Sequence, residues 1–179
     1  MNIFYLDPNP NNAAYMHCDK HVVKMVSEYT QLLSTAKRVL DGTETTVLIK
    51  GRRYKRYVLA DASLDVLLPK ATHVNHPCNK WARSSSANYA WLHMLAVALN
   101  STYSGVYGRR HAYSAAIEVL LSPPVNLPEG PFSEPPQTMP DMYKVPGDSV
   151  AAYRKFYRGD KARFAKWKSR NIPAWFIPE

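Results

Sequence analysis

The chain has 179 residues, 46% of them hydrophobic and 12% aromatic, which excludes a disordered polymer and is enough for a substantial core. Lys and Arg number 23 against 14 Asp and Glu, a formal charge of +9 that steers a protein toward polyanions, of which nucleic acid is the commonest. No apolar run reaches the roughly eighteen residues of a membrane span, so no membrane partner is expected.

The start, MNIFYLDPNP, lacks the basic and long apolar regions of a signal peptide. Cys18 and Cys78 are then expected as reduced thiols, which points to the cytoplasm. NIFYL reads as a short apolar element or strand, and DPNPNN as a turn that caps the first helix. That helix is predicted from Ala13 to Leu40, stopped at Asp41-Gly42. Residues 43–60 are the most β-like stretch, a hairpin or ordered loop. A second helix is predicted over Ser84–Tyr107, with Tyr89, Trp91, Leu92, Leu95 and Leu99 for the core, and a third over Ala112–Leu121. Residues 122–147 carry eight of the fourteen prolines and read as an extended loop. Helical character returns at DSVAAYRKFYRGDKARFAKWKSR, with a break at Gly159, and NIPAWFIPE closes the chain as an apolar tail. The fold class is mainly α, one compact domain over residues 1–179 with long irregular loops.

The first helix raises the functional question. At about 100° per residue, His17, His21, Lys24 and Glu28 share one face roughly 60° wide, opposite an apolar stripe of Val22, Met25, Val26, Tyr29 and Leu33. Three readings fit. Lys24 and Glu28 form an i,i+4 pair on a solvated face. His17 and His21, with His73 and His76, supply metal ligands, although no compact Cys/His framework supports one and no metal or other cofactor is expected. Or Glu28 performs acid–base chemistry, flanked by imidazoles that hold anionic or hydroxyl groups. Around Pro77, THVNHPCNKWAR adds His73, His76 and Trp81, with Cys78 expected as a small packing residue.

Phosphate contacts are expected at KGRRYKRY, where Lys50, Arg52, Arg53, Lys55 and Arg56 interleave with Tyr54 and Tyr57. The C-terminal stretch carries a second mixture of cations and aromatic residues.

DKHVVKMVSE, residues 19–28, resembles the first-helix motif of the phage-type pyrimidine-dimer DNA glycosylases, the endonuclease V-like AP lyases, in which a histidine precedes the catalytic glutamate by seven residues. HPCNKW, residues 76–81, is similar to a His-Pro…Trp segment of bacterial and archaeal relatives, and KARFAKW…PAWF to the aromatic C-terminus of that group. The resemblance implies a compact α-helical fold. It also implies a DNA base N-glycosylase with AP-lyase activity on damaged or modified bases, in which a free amine attacks the sugar C1′ and the glutamate supports the developing charge. That role falls on Glu28, with His21 as a phosphate or substrate contact and His17, Lys20, Lys24, His73, His76 and Trp81 about the pocket. The family exposes the amine of a small residue after loss of the initiator methionine, whereas this chain reads Met1-Asn2. The nucleophile is then the Met1 amine, Lys20 or Lys24, or is absent. The rival readings are a non-catalytic phage protein that sequesters nucleotides or oligonucleotides in counter-defence, and a metal-dependent nuclease or nucleotide hydrolase.

Overall fold

Asn9 accepts the Asn11 N–H through its side chain, and Pro10 takes the first position of α1 (Pro10–Met16), so the expected turn does cap a helix. The computed structural model describes residues 1–176; residues 177–179, the end of the expected apolar tail, lie outside the described residues. NIFYL is not a strand. Ile3–Leu6 are buried and held by scattered bonds, the Phe4 N–H to the Tyr29 hydroxyl (3.2 Å) and the Leu6 carbonyl to Arg154 Nε (2.9 Å).

The single helix predicted from Ala13 is two helices. His17 and Cys18 are extended (ψ 134° and 160°), and α2 (Asp19–Asp41) starts afresh after them. No Gly or Pro marks the break. The His17 side chain makes it: Nδ1 donates to the Ala13 carbonyl (2.6 Å) and Nε2 accepts from the Tyr29 hydroxyl (2.7 Å). These bonds satisfy the end of α1 and bury the ring. The apolar stripe of α2 is buried as expected. Gly42 ends α2 for want of space, because a Cβ there would stand 2.5 Å from the Arg38 carbonyl oxygen.

β1 (Thr43–Ile49) and β2 (Arg52–Val58) form the anticipated hairpin, pairing Thr43 with Val58 and Ile49 with Arg52. Lys50 and Gly51 turn it with positive φ (49° and 75°), the requirement of a tight two-residue turn. A short helix without a clear sequence signal comes next, α3 (Ala62–Leu67), capped by Asp61. After it stand α4 (Pro77–Ala82), capped by His76, and α5 (Ser86–Tyr107), capped by Ser85 and closed at Gly108 with φ 63°. The five predicted core residues of α5 are all buried. The remaining helices are α6 (Ser114–Val119) and, beyond the proline-rich loop, α7 (Ser149–Phe156).

Residues 122–147 hold only one turn of 3-10 helix, Asp141–Tyr143, and are fixed by side chains reaching their carbonyls: Ser85 to Pro131 and Trp81 to Ser133, each 2.9 Å. After α7 the chain widens into a π-turn, Tyr157–Lys161. Gly159 packs so closely on the Tyr143 ring that a Cβ would overlap it. Trp167 Nε1 then ties the last segment to the Met16 carbonyl (3.1 Å), and Asp19 accepts from the Lys168 N–H and from Arg170 (3.0 and 2.9 Å). The C-terminal segment is thereby brought to the N-terminal end of α2.

The architecture is mainly α, 51% helical with seven α-helices and one two-stranded sheet among the described residues. The buried residues form one core cluster, and no described helix is long and apolar enough to cross a membrane. Cys18 and Cys78 are both free and buried.

Candidate active site

His21, Lys24 and Glu28 lie one turn apart on α2, with Lys20 on the preceding turn of the same side. Above them stand the chain's first residues and the π-turn with its sequel. Together they enclose a cavity of about 240 Å³ lined by Met1, Lys20, His21, Lys24, Glu28, Lys161 and Phe164, with Asn2, Phe4 and Met25. That is below the roughly 300–1,000 Å³ of drug-sized sites and suits one ring or one sugar.

Glu28 Oε1 is 3.0 Å from Lys24 Nζ, so the expected i,i+4 pair exists. Its two members differ in exposure: the Lys24 side chain is 69% exposed and that of Glu28 18%. The carboxylate therefore faces the cavity wall more than bulk water.

His21 stacks on Phe4, with ring centroids 4.3 Å apart, and meets Tyr157 and Phe164 edge-on. Burial, then the charges of His17, Lys161 and Lys24, push the His21 imidazole well below its ordinary value, and burial raises the Tyr157 phenol. At neutral pH both are uncharged. The Tyr157 hydroxyl and His21 Nδ1 share a hydrogen bond, and the imidazole lines the cavity. His21 thus stands in the cavity wall as a neutral ring, and the positive charge of the site comes from Lys20, Lys24 and Lys161. Burial, then Arg163 and Lys24, lower the Lys161 ammonium against the opposing pull of Asp160, and the side chain lies over the Phe156 ring at 4.2 Å.

The other anticipated residues lie elsewhere. His17 is fully buried and both its nitrogens are used, so it neither joins the polar face nor offers a metal a lone pair. It positions instead. The series Phe4 N–H to Tyr29, Tyr29 to His17, His17 to Ala13 fixes the first residues over α2. Trp81 is a core residue, not a binding one: it is 7% exposed, packs edge-on against Trp91 and Phe132, and donates to the Ser133 carbonyl. His76 accepts the Cys78 N–H (3.2 Å) as the cap of α4, and burial lowers its imidazole. His73 is exposed with φ 49°, and its carbonyl accepts from Asn79 (2.9 Å). Neither lines the cavity. The four histidines do not converge, and among the described residues no three His, Cys, Asp or Glu side chains are grouped to hold a metal ion.

Arg52, Arg53, Tyr54, Lys55 and Arg56 sit on the hairpin, beyond the far end of α2. Glu28 and Asp41 are thirteen positions apart on the helix, about 20 Å. The register divides the cations between the two hairpin faces, and Lys55 pairs with Glu44 at 2.8 Å. Lys161 and Phe164 line the cavity without any sequence pattern that marks them as pocket residues. Their only local signal is a cation and an aromatic three residues apart in KARF; nothing in that spacing reveals the return to α2.

No known family, curated protein or solved structure matches the chain. The geometry of the cavity therefore carries the functional reading.

The buried imidazoles make stability depend on pH. Burial pushes His17 down to about 4, whereas an unfolded histidine titrates near 6.5. The unfolded chain binds protons first on acidification, so this stability is complete above about pH 6.5 and is lost as pH falls toward about 4. His17 alone is worth on the order of 3 kcal/mol, and His21 acts in the same direction. The thermal midpoint is expected to drop across that window. A midpoint that stays flat there means the two rings carry charge or meet water in the folded protein.

Proposed function

We propose that the protein is a DNA-processing enzyme, a base N-glycosylase with AP-lyase activity on damaged or modified bases. The observation that carries this reading is one small cavity gathering a shielded carboxylate, a neutral imidazole and several amines. A glycosylase that uses an amine places such groups about the sugar of an extruded nucleotide.

A neutral amine of the cavity attacks C1′ of the sugar. The N-glycosidic bond breaks, its electron pair leaves with the base, and the base takes up a proton. Proton loss from nitrogen and opening of the sugar give an imine. Glu28 removes a C2′ proton, the released electron pair expels the 3′ phosphate, and the strand is cut. Water hydrolyses the imine and restores the amine. The carboxylate also faces the positive charge that develops on the sugar, and His21 hydrogen-bonds a sugar or phosphate oxygen.

Among the lysines, Lys161 is the best supplied for attack. An amine reacts only when neutral, and each unit by which its pKa falls raises the neutral fraction about tenfold. Burial disfavours the Lys161 ammonium, and Lys24 is paired with Glu28. Borohydride trapping on abasic duplex DNA, followed by peptide mapping, is expected to give a covalent adduct on Lys161 that falls about tenfold or more in Lys161→Ala. An adduct on Met1, Lys20 or Lys24 moves the nucleophile and keeps the class. No adduct with any substrate removes imine chemistry and leaves the oligonucleotide-sequestering reading, which the formal charge of +9 also supports.

A further inference from the structure

Beside the candidate active site lies a second, larger cavity of about 810 Å³, between the N-terminal end of α2, the C-terminal end of α5 and residues 163–169. We propose that it binds the sugar-phosphate backbone of a single DNA strand, the one flanking the sugar held in the first cavity; the inference rests on that reading of the first cavity and names where its substrate runs.

Three observations carry it. First, the two cavities adjoin, because Lys20 and Phe164 line both. Second, the larger cavity is cationic. Lys20, Arg163, Lys166 and Lys168 line it, and none has a carboxylate within ion-pair distance among the described residues. Its one acid, Asp19, is already engaged by the Lys168 N–H and the Arg170 guanidinium. Third, aromatic rings stand among the cations. Phe164, at the junction, has Lys20 Nζ 5.1 Å and the Arg163 guanidinium 5.8 Å from its centroid, and Tyr107 lines the cavity beyond it.

Cations that neutralise phosphates, interleaved with rings that offer stacking faces, form the platform that single strands use without regard to sequence. A paired duplex has no free base face to give Phe164, whereas a strand opened by nucleotide extrusion has one. The Lys20–Phe164 junction then serves as the sill over which the chain passes from reacting sugar to bound backbone.

The test is fluorescence anisotropy of a labelled oligothymidylate of about eight nucleotides, titrated from about 50 to 200 mM salt. Lys166→Ala/Lys168→Ala is expected to flatten the slope of log affinity against log salt by about 1.4, some 0.7 for each phosphate no longer neutralised. Phe164→Ala is expected to weaken binding about fivefold or more with the slope unchanged. Lys80→Ala/Lys155→Ala removes the same charge outside both cavities and is expected to leave the slope as it was. Equal slopes in the two double variants, or heparin competing as well as the oligonucleotide while Phe164→Ala binds normally, overturn the proposal in favour of a general polyanion surface. Borohydride trapping in the same variants separates the two readings. An adduct with no effect of the groove substitutions keeps the first cavity and removes the groove; the expected binding pattern without an adduct keeps the groove as a binding site and removes the lyase.

Discussion

Glu28→Gln is expected to lower strand cleavage at abasic sites by about 10²- to 10⁴-fold, the usual worth of a positioned general base, with affinity for duplex DNA nearly unchanged. The amide keeps the shape and one oxygen acceptor of the carboxylate, so what disappears is the ability to take the C2′ proton and to oppose positive charge on the sugar. Stability should barely move. The Lys24–Glu28 pair joins a mostly exposed ammonium to a partly shielded acid, and such pairs are worth roughly 0–1 kcal/mol. Any change in affinity should be a slight tightening, because a negative group near incoming phosphates is gone. Gel-resolved cleavage and binding isotherms on one duplex separate the two quantities. Full cleavage by the variant would remove Glu28 from the mechanism.

The largest expected effect on stability belongs to Arg38. Its side chain is wholly buried at the last turns of α2, and all five of its N–H groups are engaged. Nε reaches the Pro69 carbonyl (2.8 Å); Nη1 reaches the Tyr57 carbonyl (2.9 Å) and the Asp65 carboxylate; Nη2 reaches the carbonyls of Asp65 and Leu68 (2.8 and 2.9 Å). One guanidinium therefore fastens the hairpin, α3 and the chain beyond it to α2. Arg38→Met withdraws one donor from Asp65, which keeps Lys70 and the Leu59 N–H, and one from each of four carbonyls. Of these, the carbonyls of Asp65 and Pro69 keep Lys70 and the Ser34 hydroxyl, so the loss is about 2–5 kcal/mol. With a urea dependence of about 1–3 kcal/mol per M, the midpoint should fall by roughly 1 M or more. Arg38→Lys should recover little, since three donors on a flexible stem do not reproduce a planar fork. A midpoint within about 0.3 M of the wild type would show that the network contributes nothing net.

The residues behind these two results are not equally legible in the sequence. The side of α2 that carries His21, Lys24 and Glu28 is legible, because a 3.6-residue period fixes which side chains share a helix face whatever surrounds it. The hairpin is legible for a similar local reason, β-branched residues leading into a Lys-Gly turn with tyrosines and a valine beyond it. His17 is not. Its exclusion from the polar face comes from a helix break made by its own side chain bonding to Ala13 and Tyr29, and the second of those partners lies beyond any local pattern. Trp81 beside two histidines looks like a binding aromatic, but its burial is decided by Trp91, Phe132 and Ser133, residues of α5 and the proline-rich loop. Lys161 and Phe164 complete the cavity from the opposite end of the chain. Arg38 reads as an ordinary cation near a helix end until the segment 57–69 closes over it.

The hairpin is the only sheet among the described residues, with two strands, and both outer edges are unpaired. Leu48 is 71% exposed, and Ile49, Tyr54 and Val58 are exposed beside it. Such a ribbon invites strand addition from another copy of itself, and like charge along the edges is how proteins discourage that. Lys50, Arg52, Arg53, Lys55 and Arg56, against Glu44 alone, give every molecule the same positive ribbon. Their mutual repulsion keeps neighbouring ribbons apart in solution, so a polyanion that settles on them also lifts the guard against self-assembly.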